Sequence, residues 1–354
     1  MSNIHSEITL SSRFFQSAIF IHRCLFKRSV LFESLRKKNI KAIVDKLQSN
    51  LASNGLNSGK TLSVDRRSDL SDKDFVREYL NKGLPVIFSQ EASSWPCSKK
   101  WGLDYLMNQF PDDEFSLIDS TGLVEKAFDR SNDSPTPALI DKVKSKEFVQ
   151  RVRSGDKAYL RFCPIMETHP ELESDLDLGW LKKFRRCFLG ISYQTFIGPA
   201  GRKTPLHSET TAFFYIMADG EKDWTLFSPT AFPIINPEPE GRGYNFSRVD
   251  ITHPDLEKYP GINLITRYTC RLKKGDILFV PAWMWHEVTN VTEGWGISYR
   301  FTSLRGFLRH PLFVFVRLFL TKPSFLEILY YSFFRSDITS RKNNLLTPKI
   351  YLKK

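Results

Sequence analysis

At 354 residues, with 41% hydrophobic and 25% charged side chains, the chain has the composition of an ordinary soluble globular protein. Its five cysteines (Cys24, Cys97, Cys163, Cys187 and Cys270) are scattered, odd in number and without a CxxC pair. That argues against a disulfide framework and for reduced thiols in an intracellular, cytoplasmic setting. The net charge of +12 belongs to the ends: residues 1–60 hold ten Lys/Arg against three Asp/Glu, and residues 302–354 hold ten against two. Residues 61–301, with 31 basic against 34 acidic side chains, are slightly acidic. The basic character therefore bears on what the ends touch and says little about the middle.

Apolar residues at Phe14, Ala18, Ile21 and Leu25 share one helix face, which predicts a surface-docked amphipathic helix within 14–35. Arg13, Arg23, Lys27 and Arg28 around it also fit a transit peptide, a reading weakened by Glu7 and Glu33. Ser, Asn and Gly over 47–61 suggest a linker. A compact region begins near Ser63. Ser71 is placed to cap a helix, with Asp74 in the capping-box position. Gly83-Leu84-Pro85-Val86-Ile87-Phe88 predicts a short strand with proline at its entrance, and 101–110 a helix. Residues 119–140 lack periodicity and are expected to form a surface loop.

From there short strands dominate. Runs at 158–162, 187–197, 213–217, 224–227, 268–272, 277–280, 286–291 and 296–301 are broken by turns such as Asp219-Gly220 and Lys274-Gly275-Asp276. Many short strands with helices before them predict a mainly β jelly roll with flanking helices. The last segment differs. Its runs 312–320 and 325–334 are apolar nearly all round, yet each is too short to cross a bilayer. Such helices must be buried in the fold, in a second copy or at a lipid surface. The organisation predicted is a basic, partly helical extension over 1–62, a catalytic domain over 63–301 and a basic, aromatic-rich helical extension over 302–354.

The chemistry concentrates between Thr204 and Phe301. His207 and Glu209 are two apart, so on a strand their side chains leave the same face. Seventy-six residues separate Glu209 from His286, enough for several strands to return it to the first pair. Two imidazoles and one carboxylate on one side of an ion leave the opposite positions open, the facial arrangement of non-haem Fe(II) oxygenases. A His-x-Glu pair alone is a weak signal. Thr204 before it, Lys222 in Gly220-Glu221-Lys222, and Trp283 and Trp285 around the second histidine strengthen it.

These residues resemble the JmjC-type, cupin-like oxygenases, particularly the asparaginyl and other protein hydroxylases. The likeness is carried by Thr204-Pro205-Leu206-His207-Ser208-Glu209, by Gly220-Glu221-Lys222, and by Gly275-Asp276-Ile277-Leu278-Phe279-Val280-Pro281 with Trp285-His286. It extends upstream to Gly83-Leu84-Pro85-Val86, Trp95-Pro96, Trp101 and Tyr159-Leu160-Arg161-Phe162. The resemblance implies a double-stranded β-helix that uses Fe(II), 2-oxoglutarate and O2 to hydroxylate a C–H bond, with a protein or peptide as substrate. His207, Glu209 and His286 would bind iron, and Lys222 and Thr204 the distal carboxylate of 2-oxoglutarate. Relatives carry asparagine where this chain has Phe213, and again where it has Arg300. Arg300 is expected either to grip a carboxylate of 2-oxoglutarate or to pair with a nearby acid. The resemblance also implies a homodimer through helices after the barrel. Rival readings are a membrane-surface hydroxylase of a lipid or small molecule, and a non-catalytic metal-binding cupin. Nucleic acid remains open as a substrate.

Overall fold

The computed structural model describes residues 8, 10–25, 30–118, 139–184, 192–237, 244–301, 303 and 306. The apolar runs after Phe301, on which the dimer and membrane expectations rest, lie outside the described residues, as does Cys187. Cys97, Cys163 and Cys270 are free thiols.

Two helices come first, α1 (Leu10–Leu25) and α2 (Val30–Ser53). The face α1 buries is not the one its apolar spacing predicts. Phe14 is 61% exposed, whereas Gln16, Ser17, Ile19 and Phe20 are buried. Gln16 Nε2 donates to Asn39 Oδ1 (2.8 Å) and to the Arg36 carbonyl (3.2 Å), so a polar residue stitches α1 to α2 from the inside. The predicted linker is also shorter. α2 continues to Ser53 because Leu47 extends the buried stripe of Ile40 and Ile43. Gly55, with φ of +68°, then ends the helix, and the Leu56 N–H closes on the Leu51 carbonyl. Ile40, Ile43 and Leu47 join the main hydrophobic core, so the hairpin is docked on the barrel. Among the described residues no helix is long and apolar enough to cross a membrane.

The strands are β1 (Thr61–Ser63), β2 (Asp65–Arg67), β3 (Val86–Phe88), β4 (Glu114–Ile118), β5 (Leu139–Lys144), β6 (Leu160–Cys163), β7 (Ser192–Gly198), β8 (Lys203–Glu209), β9 (Ala212–Asp219), β10 (Glu221–Phe227), β11 (Tyr244–Phe246), β12 (Arg267–Lys273), β13 (Ile277–Val280), β14 (Trp285–Asn290) and β15 (Gly294–Phe301). One sheet runs β1-β12-β10-β14-β8-β11 and the other β2-β3-β13-β9-β15-β7-β6. The predicted jelly roll is therefore present, with helices packed on one face. β4 and β5 form a separate ribbon; its second strand starts at Leu139, inside the segment expected to be loop. Ser71 caps the helix at Asp72–Asp74, accepting from the Asp74 N–H as predicted, and that helix continues as a π-helical turn over Phe75–Leu80.

Strand β9 shows why the sequence folds this way. Every residue from Ala212 to Ala218 is buried. Phe213, Tyr215 and Met217 join a core shared with Trp224, Leu226, Leu278 and Val288, contributed by both sheets. The alternate residues Phe214, Ile216 and Ala218 pack in the larger core with Phe75, Trp180 and Phe184. A strand covered on both faces reads as a continuous apolar run, and the period of 2 sorts its side chains between two layers. Glycine is required where strands approach side chains: a Cβ on Gly296 would sit 2.1 Å from Tyr215 Oη.

Candidate metal and cosubstrate pocket

β8, β10 and β14 are neighbours in one sheet, and their register assembles the site. His207 and His286 lie directly opposite each other on β8 and β14, with ring centroids 4.1 Å apart. Glu209, two residues along β8, faces the same way, with its Oε1 3.6 Å from His207 Nε2. One ligand atom of each of the three residues lies within 4.8 Å of the others. The loop into β14 is tied to this strand by the Trp283 N–H, which donates to the Glu209 carbonyl at 2.6 Å. Trp283 adopts φ of +66°, a left-handed conformation that bulky residues seldom hold, and both Trp283 and Trp285 are buried.

The hydrogen bonds orient both rings. His207 Nδ1 is 2.8 Å from the Pro205 carbonyl and His286 Nδ1 is 3.0 Å from the Met284 carbonyl. Each Nδ1 must carry its proton to donate there, which leaves each Nε2 a lone pair. Burial pushes the His207 pKa down to about 3 and holds His286 well below the ordinary histidine range, with the neighbouring His207 adding to the second shift. Two neutral imidazoles with fixed tautomers and one carboxylate are the donor set that suits a divalent transition metal.

The triad opens on a cleft of about 320 Å3, its mouth included, whose lining contains Thr204, His207, Glu209, Lys222, His286 and Arg300. All six sequence-predicted residues thus meet in one place. Lys222, on β10, is 1% exposed. Its ammonium donates to Asn290 Oδ1 at 2.7 Å and lies 5.6 Å from the centre of the Tyr159 ring, and burial lowers its pKa. Among the described residues no carboxylate forms an ion pair with it. A buried ammonium facing a cleft, with an amide oxygen and Tyr159 but no carboxylate beside it among the described residues, fits an anionic ligand. Trp224 Nε1, in the same wall, is buried and has no hydrogen-bond partner among the described residues. A carboxylate-bearing cosubstrate is consistent with both observations.

Arg300 stands differently. It pairs with Glu209, and its guanidinium lies 5.5 Å from the centre of the Phe213 ring. Of the two expectations for it, pairing with a nearby acid matches the structure, and the acid is a member of the triad. Asn290, which holds Lys222, was not singled out from the sequence. Its signal was positional: Asn290 is the cross-strand partner of Lys222 in the β10–β14 register. Trp224, Tyr215 and Ser298 were likewise missed as pocket-lining residues.

A two-sheet β-helix with a His-Glu-His set and a buried lysine in one cleft defines a cupin with a candidate metal site. The chain belongs to the cupin-like domain family, whose model matches residues 72–305. It is similar to Lysine-specific demethylase JMJ30 of Arabidopsis thaliana, 27% identical over 246 residues that cover 67% of this chain and 54% of that protein. Lysine-specific demethylase 8 of Xenopus tropicalis is 25% identical over 244 residues, 64% of this chain and 49% of its own length. Human tRNA wybutosine-synthesizing protein 5 is 26% identical over 257 residues, 68% of this chain and 78% of its own. The chain thus spans about half the length of the two demethylases.

Proposed function

We propose that the protein is an Fe(II)- and 2-oxoglutarate-dependent dioxygenase that hydroxylates a C–H bond and releases succinate and CO2. The observation that carries the reading is the placement, in one cleft, of two histidines whose Nδ1 protons are held by backbone carbonyls, a carboxylate within reach of both, and a buried lysine that has no carboxylate partner among the described residues. His207, Glu209 and His286 would hold the iron. Lys222 and Thr204 would hold the distal carboxylate of 2-oxoglutarate. Iron with its cosubstrate supplies the oxidising power.

The chain's own residues do the rest. The Pro205 and Met284 carbonyls keep both Nδ1 protons in place, so neither ring turns away from the metal position. Asn290 steadies the Lys222 ammonium and is itself anchored, through Nδ2, on the Pro199 carbonyl at 2.9 Å. Phe213, Trp224 and Val288 line the cleft with apolar surface, which limits water around the reacting centre.

The substrate we favour is a protein side chain, because the relatives include lysine- and arginine-specific demethylases. A tRNA nucleoside is the second reading, supported by the larger share, 78%, of the tRNA wybutosine-synthesizing protein that the chain matches. The first test is release of succinate from 2-oxoglutarate with iron and ascorbate, followed by mass shifts of 16 Da in peptide and tRNA pools. A folded, iron-loaded protein that neither binds nor turns over 2-oxoglutarate would refute the proposal.

A further inference from the structure

We infer that Arg300 is a resident cation that holds the metal-binding oxygen of Glu209 in the metal-free protein, and that metal entry must overcome it. The inference rests on the metal reading above and concerns how the pocket is kept ready and how tightly it binds. The oxygen in question is Oε1. It is the Glu209 oxygen paired with the Arg300 guanidinium, and it is also the one 3.6 Å from His207 Nε2. The other oxygen, Oε2, accepts from Thr211 Oγ1 at 3.3 Å. A metal shared by His207 and Glu209 would use Oε1, so guanidinium and metal address the same atom.

The strand register makes this pairing a built feature. Arg300 and Phe213 are cross-strand partners on β15 and β9, and the guanidinium stacks near the Phe213 ring. The two departures from the resembling sequences therefore face each other across one strand pair. The apolar ring walls the guanidinium on one side, and Glu209 meets it in the cleft. Both side chains are almost wholly buried, at 5% and 4% exposure. Removing one partner of a buried pair leaves the other charge uncompensated, so without the arginine an empty pocket would hold an unpaired carboxylate. With the arginine, the empty pocket is satisfied, but an incoming divalent ion meets a like charge and an oxygen already engaged. Arg300 thus stabilises the metal-free state and weakens metal binding, acting as a positioning residue through Glu209.

The test uses the full chain, freed of metal by chelation, and Mn(II) alone as the probe. Calorimetry gives the affinity, and thermal unfolding is followed with and without Mn(II). Arg300→Gln is expected to bind Mn(II) at least tenfold more tightly than the wild type. Its metal-free form should unfold at a lower temperature, and Mn(II) should raise that temperature by more than in the wild type. Arg300→Lys keeps the charge and should stay near the wild-type affinity. The double variant Phe213→Asn with Arg300→Asn, which installs the residues carried by resembling chains, should also bind more tightly and covers the case in which Arg300→Gln does not fold. A folded Arg300→Gln or double variant with unchanged or weaker Mn(II) affinity overturns the inference. So does an Arg300→Lys variant as tight as Arg300→Gln, since charge would then not be the cause. Absence of Mn(II) binding by the wild type and every variant would instead overturn the metal reading beneath it, and this inference with it.

Discussion

Replacing Lys222 with methionine should separate the two consequences of burying one charge. The side chain is 1% exposed, donates to Asn290 Oδ1 at 2.7 Å, and has no carboxylate partner among the described residues. Its hydrogen bond to an anionic cosubstrate would be charge-assisted and worth about 1.5–3 kcal/mol, a loss of roughly ten- to hundredfold in 2-oxoglutarate affinity. The stability of the empty protein should change little. Methionine retains most of the stem volume and ends the desolvation of the ammonium, while Asn290 Oδ1 loses its donor at a cost of about 1–3 kcal/mol. These terms oppose each other. Titration of 2-oxoglutarate into the Mn(II)-loaded variant gives the first quantity, and urea unfolding without ligand gives the second. Unchanged 2-oxoglutarate affinity in Lys222→Met would refute the assignment and return the carboxylate to Arg300.

His207→Ala or His286→Ala should abolish iron binding while circular dichroism stays close to wild type; a folded variant with full iron occupancy would remove the triad. The metal-free protein should lose stability in acid through the same histidines. His207 has a folded pKa near 3, against about 6.5 when unfolded, so the unfolded chain takes up the proton first and the stabilisation present above about pH 6.5 is lost towards pH 3. His207 contributes about 1.4 kcal/mol per pH unit across that window, and His207→Gln should flatten the slope by one proton in urea titrations. Gly296→Ala should destabilise the barrel by roughly 1–3 kcal/mol, because its Cβ would meet Tyr215 Oη at 2.1 Å and the buried ring must move. A thermal midpoint equal to wild type would contradict that packing.

Much of this architecture is legible in the sequence where local chemistry repeats a simple rule. The predicted strand at 277–280 matches β13, and Ser71 caps its helix as expected, because turn residues and a short polar side chain act within a few positions. The triad is legible because the period of 2 puts His207 and Glu209 on one face without knowledge of the partner strand. The face of α1 is not legible. Its spacing favours Phe14 and Ala18, but the choice is made by Gln16 reaching Asn39, 23 residues away on another helix. Asn290 is hidden for the same reason, being 68 residues from the lysine it steadies.

Arg300 shows how far such reasoning extends. Its residue type sets what it can do: a guanidinium is always charged and, when buried, must meet an anion. Its position on a strand that ends in the cleft brings it to the site. Which anion it meets depends on two further strands, β9 supplying the ring that walls it and β8 supplying Glu209. Once those are fixed, the two expectations for Arg300 lead to different chemistry. An arginine gripping the cosubstrate would strengthen 2-oxoglutarate binding, whereas an arginine on Glu209 Oε1 acts on the metal. Because the ion pair is made with the oxygen nearest His207, our proposal sets Arg300 beside the candidate metal position, and leaves Lys222 as the cation in the described pocket available to a carboxylate.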